Sequence, residues 1–126
     1  MALRWTVPLN AARTVQVFAA DAPPIFRPLL KLMVPRLLRS QVRAQGTGRL
    51  PLDLLLRQLD EHLSMLVQLL GDGPFFFAAA QPSIADLALF GQIDFLYSSV
   101  VPEGKAAVEN HPELLAFQRR LDVLTD

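Results

Sequence analysis

The 126-residue sequence contains no cysteine at all. That excludes a disulfide framework and thiol chemistry, and it makes an intracellular, cytoplasmic location the expectation. Histidine is almost as scarce. His62 and His111 stand far apart with no cysteine to complete a closed set, so no metal site is expected. Long hydrophobic runs are missing as well. A membrane-spanning helix needs about 20 successive apolar residues, and charge or proline interrupts every candidate, as Pro35-Arg36 does within residues 29–38. No membrane span is therefore expected. Arg4 is followed by neither a sustained apolar stretch nor a small-residue cleavage site, so the N-terminus does not read as a signal peptide. Alternating apolar and polar residues bounded by hairpin turns are absent too, which removes the signal for strands.

What is present is apolar and unevenly charged. Hydrophobic residues make up 52% of the chain and the mean hydropathy is +0.30, high for a soluble monomer. Either the core is generous or apolar surface awaits a partner. The length suits a single domain over residues 1–126. Residues 1–50 carry eight basic side chains against Asp21 alone, a net of +7, and residues 51–126 carry the balancing −7. A basic face of Lys31, Arg36, Arg39 and Arg43 raises the alternative of nucleic acid or an anionic membrane surface. Overall neutrality gives little counterion-release drive toward a polyanion, so the expected use of these charges is packing beside acidic helices, with no nucleic acid as partner.

Apolar residues recur every three or four positions, which predicts an all-α fold of about five helices. The first runs over residues 10–20 with Asn10 as its cap. The second runs over 24–46, with Pro35 expected to bend or break it and Gly46 to stop it. The third, over 51–71, is the clearest, with Leu52, Leu55, Leu59, Leu63, Leu66 and Leu70 on one stripe. The fourth covers 83–99, Pro102-Glu103-Gly104 is read as a break, and the fifth covers 112–124. Phe75-Phe76-Phe77 falls between helices, where three aromatics are expected to plug a seam rather than to cage a ligand.

Ser83-Ile84-Ala85-Asp86 has the form of a capping box with Asp at the third helical position. The Ser83 hydroxyl is placed to accept from the Asp86 amide, and the Asp86 carboxylate to accept from the Ser83 amide. Both are read as structural residues. The alternative is an autonomous enzyme with a pocket among its helices and Asp86, Tyr97 or His62 as working groups, but for Asp86 as a general base no His or second acid lies where the sequence would recommend it.

The surroundings of that box narrow the reading. Gly71-Asp72-Gly73-Pro74-Phe75-Phe76-Phe77 followed by Gln81-Pro82-Ser83-Ile84-Ala85-Asp86-Leu87 resembles the glutathione S-transferase C-terminal domain, in which an aromatic-bearing loop leads into a core helix opened by a Ser/Thr-x-x-Asp box. His111-Pro112-Glu113-Leu114 and Arg119-Arg120-Leu121-Asp122-Val123-Leu124 are similar to the family's last helix. Arg43-Ala44-Gln45-Gly46-Thr47-Gly48-Arg49 resembles the helix joint of the divergent branch that includes failed-axon-connection-like members.

The resemblance implies that Ser83 and Asp86 serve folding and that this chain holds no catalytic residue. In the family, glutathione binds a thioredoxin-like half, which this sequence is expected to lack. No cofactor is expected here, and glutathione would enter only with such a domain supplied. The helical half provides the wall for a hydrophobic co-substrate and much of the dimer contact. The expected partners are therefore a second copy of the chain, a thioredoxin-like domain, or a hydrophobic small molecule.

Overall fold

Three- and four-residue apolar spacing becomes helix throughout the computed structural model, which describes residues 2–125. Among them are seven helices and no strand: α1 (Ala2–Thr6), α2 (Pro8–Ala20), α3 (Arg27–Ala44), α4 (Leu52–Leu70), α5 (Ile84–Tyr97), α6 (Pro102–Glu109) and α7 (Pro112–Thr125). The all-α class holds. The two helices beyond the expected five are α1 and α6, both too short to show a periodic stripe.

Proline sets several of the helix starts. Pro8, Pro28 and Pro102 occupy the first turns of α2, α3 and α6, where a missing N–H costs nothing. Asn10 is consequently not a cap. It lies buried inside α2 and donates from Nδ2 to the Leu3 carbonyl at 3.1 Å, tying α1 to α2. Pro35 sits within α3, and the helix continues through it as one element. The segment 102–104 does not break the chain; it opens α6. Gly104 is buried there because a Cβ would stand 2.9 Å from the Leu96 carbonyl oxygen, so this glycine permits α6 to approach α5.

The chain divides into two compact units, Met1–Leu55 and Leu56–Asp126. In the first, Trp5, Ala11, Val15 and Val42 form a core with Val34 and Leu38 packed against it. Its basic residues have a structural use. Arg39 donates to the Trp5 carbonyl at 3.2 Å, Arg27 to the carbonyls of Ala20 and Ala22 at 3.0 Å each, and Arg49 to the Arg43 carbonyl at 3.0 Å. Each guanidinium thus meets carbonyls at or just past the C-terminal end of α1, α2 or α3, where the helix leaves acceptors unsatisfied and the macrodipole favours a cation.

In the second unit, Leu63 and Leu70 of α4, Phe75 and Phe76 of the following loop, Ile93 of α5 and Leu114, Phe117 and Leu121 of α7 form the core. The aromatic loop divides its labour. Phe76 is buried and meets Phe117 edge to face, with centroids 4.9 Å apart, whereas Phe77 points outward at 68% exposure. The outward turn has a conformational cost, since Phe77 (φ 63°) and Ala78 (φ 53°) both lie in the left-handed region. Gly73 stands so close to the Ala78 backbone that a Cβ would approach its carbonyl carbon to 2.5 Å. His111, just before α7, and Asp60 of α4 meet at 2.9 Å.

No single helix among the described residues is long and apolar enough to cross a membrane. The pair α5 and α6 has the composition but is bent by 119° at their junction.

Candidate functional site

The second unit builds its most ordered polar site at the start of α5. Ser83 is extended, α5 begins at Ile84, and Asp86 occupies the third helical position. Its carboxylate accepts three hydrogen bonds of 2.8 Å. Oδ2 receives the amide of Ser83 and the Ser83 hydroxyl, and Oδ1 receives the amide of Phe76. The Asp86 amide meets the Ser83 carbonyl at 3.1 Å. Burial pushes the Asp86 carboxyl up, but the donors from Phe76 and Ser83 outweigh it and hold the group below its ordinary value. The buried charge is stable because every donor around it points at the anion.

That arrangement joins two pieces of backbone ten residues apart and leaves Asp86 fully buried. A carboxylate with no exposed surface and both oxygens engaged has no free position from which to take a substrate proton. Sequence reasoning places Asp86 with Ser83 but misses Phe76, because a contact between a loop amide and a helix carboxylate leaves no periodic trace.

The other residues weighed as working groups are not assembled with it. His62 is exposed on α4, and Tyr97 at the end of α5 lies under the Lys105 ammonium, 5.3 Å from its ring centroid. No hydrogen bond links His62, Asp86 and Tyr97 to one another among the described residues.

Two features of the first unit have no polar signature in the sequence. One is the outer face of α3. Leu30, Val34, Leu38 and Val42 turn inward, while Leu29, Leu32, Met33 and Leu37 are each between 51% and 62% exposed. At one hundred degrees per residue the latter four share a face, with Phe26, 54% exposed, just before it. The other feature is a cavity of about 280 Å³ reached by residues of α1, α2 and α3, with Val15, Ala19, Val34 and Leu38 among its apolar walls.

Comparison with known proteins places these observations in a family. The profile of the glutathione S-transferase C-terminal domain matches residues 40–120, from the end of α3 into α7. Metaxin-2 of Homo sapiens is 31% identical over 86 residues, which are 67% of this chain and 32% of that protein. Metaxin-2 of Mus musculus gives the same identity and the same coverage. The chain thus spans about a third of the length of these relatives. No solved structure matches the chain significantly.

Proposed function

This chain belongs to the glutathione S-transferase C-terminal domain family, and from that premise we propose that it works as a protein-association module and as the apolar wall of a hydrophobic-ligand site, without a glutathione site of its own. The observation that carries the association role is the outer face of α3. A monomer's scattered exposed leucines need no explanation, but four large apolar side chains on one helical face form a patch of the kind that marks contact surfaces. Covering it against a partner returns about 25 cal/mol for each Å² removed from water.

A second copy of the chain or a thioredoxin-like domain is the partner proposed. The charge distribution favours the first. With eight basic residues against two acidic ones in the first unit, and four against ten in the second, the basic unit of one copy complements the acidic unit of another. Use of the basic face on nucleic acid is less favoured, since Arg39 of that face is already directed at the Trp5 carbonyl, and Arg27 and Arg49 beside it in sequence serve other helix-end carbonyls.

Sedimentation equilibrium tests this. A homodimer is expected at micromolar concentration, loosened by salt as rim charges are screened. The double substitution of Met33→Glu and Leu37→Glu is expected to yield monomers with unchanged helicity. A wild-type monomer across the whole concentration and salt range would overturn self-association. Retention on immobilised glutathione, or transfer of glutathione to a chlorinated aromatic substrate, would overturn the absence of a glutathione site.

A further inference from the structure

The cavity among α1, α2 and α3 is built by the first unit alone. All of its lining residues lie at position 38 or earlier, ahead of the stretch that matches the family profile. No residue of another domain is needed to form its walls.

Carbon sets the chemistry of those walls. Val15, Ala19, Val34 and Leu38 supply aliphatic surface and Trp5 an aromatic one. Arg4 and Trp5 are the only lining residues with polar side-chain atoms, yet Arg4 Nε and Trp5 Nε1 are both shut off from solvent, and the surface open to a ligand is almost wholly apolar. A water molecule needs about 2–4 polar partners to be held in such a space, and this lining offers it little. A ligand hydroxyl or amide placed inside would lose its hydration with no hydrogen bond in return, at about 1–3 kcal/mol, and a charged group would lose more. An apolar body instead gains about 25 cal/mol for each Å² it withdraws from water. The cavity therefore selects against polarity.

Its size narrows the ligand further. At about 280 Å³ it is roughly twice the volume of an apolar cavity of about 150 Å³ that takes up one benzene. A substituted ring or two fused rings fit that space. The Trp5 indole in the wall and Phe18, 67% exposed at the rim, add aromatic surface for such a body to stack on.

We propose that this cavity binds a small uncharged hydrophobic molecule of one or two aromatic rings, with no hydrogen-bonding group on the part that enters. The assignment rests on the ligand-wall reading and refines it by naming the place and the ligand's chemistry. It also extends that reading, since binding takes place in this chain by itself, with no thioredoxin-like domain and no glutathione. It is independent of whether α3 mediates self-association.

The test is titration of the full chain with para-xylene and with hydroquinone, which has the same shape but a hydroxyl in place of each methyl. Because the hydroxyls stand at opposite ends of the ring, whichever end enters carries one inside. Trp5 is the chain's one tryptophan, so its emission reports from the cavity wall. Saturable binding of one para-xylene is expected, with a change in Trp5 emission at the same midpoint and a Tm that rises with ligand concentration. Nuclear Overhauser contacts should join the ligand's methyls to those of Val15, Ala19, Val34 and Leu38. Hydroquinone should bind about tenfold or more weakly, the factor for one unpaired hydroxyl. Val34→Phe, which narrows the cavity, should weaken para-xylene about tenfold or more. The Overhauser contacts are read on the wild type, so the outcome does not depend on how that variant folds. Equal affinity for the two ligands would overturn the selection against polarity. Para-xylene contacts that map to another surface would refute this cavity and leave the ligand wall standing elsewhere. Absence of binding up to the solubility limit of para-xylene would overturn both.

Discussion

Replacing Asp86 should destabilise this protein more than its size suggests, and the structure sets the magnitude. The carboxylate is the acceptor for two backbone amides and one hydroxyl, all at 2.8 Å. In Asp86→Ala the buried Phe76 amide loses its partner, at about 1–3 kcal/mol. The Ser83 amide at the helix end loses its cap, at about 1 kcal/mol. Relief of the carboxylate's own desolvation offsets part of this, which leaves a net loss of about 2 kcal/mol. Asp86→Asn is the sharper perturbation, because it keeps the shape. Its NH2 group must face either the Phe76 amide or the Ser83 amide and hydroxyl, so a donor meets a donor whichever way the side chain turns. The loss should approach that of alanine. Urea denaturation followed by far-UV circular dichroism measures both. Protonation adds an independent check: since folding holds the Asp86 pKa below its ordinary value, the stabilisation is complete above about pH 4–5, the usual carboxylate range. It is lost as pH falls through the depressed folded value. The gap between wild type and Asp86→Ala should therefore narrow on acidification. An Asp86→Asn protein within about 0.5 kcal/mol of wild type, or a gap that widens in acid, would refute the hydrogen-bond argument.

Other positions give smaller or opposite effects. Ser83→Ala removes the hydroxyl but keeps the Ser83 amide on Asp86, so its loss should be about 1 kcal/mol, below that of Asp86→Ala by the same denaturation assay. Gly73→Ala should cost about 2 kcal/mol or more, because its Cβ would press on the Ala78 backbone rather than on a movable side chain; thermal melting shows this as a lowered Tm. Phe77→Asn should raise stability by about 0.5 kcal/mol, read as a higher urea midpoint, since Phe77 is exposed with positive φ and Asn tolerates that conformation better. Arg27→Ala should lower stability by about 0.5–1 kcal/mol through the two carbonyls at the end of α2, and should do so without changing the helicity measured by circular dichroism.

Periodicity along the chain was sufficient to determine that this protein is helical and where its long helices lie. The stripe on α4 and the Ser83-x-x-Asp86 pattern are local, since helix geometry fixes which residues share a face and capping pairs residues three apart. Short helices escaped for the same reason: α1 and α6 are too brief for a stripe, and Pro102 with Gly104 reads as a break unless one knows that α5 packs against that glycine. Tertiary structure alone decided the rest. It brought the Phe76 amide to Asp86, buried Phe76 while turning Phe77 out, and directed Arg27, Arg39 and Arg49 at helix ends. It also buried the Trp5 indole N–H without an acceptor. These are contacts between residues whose separation in sequence carries no fixed geometry, so only the packed chain can specify them.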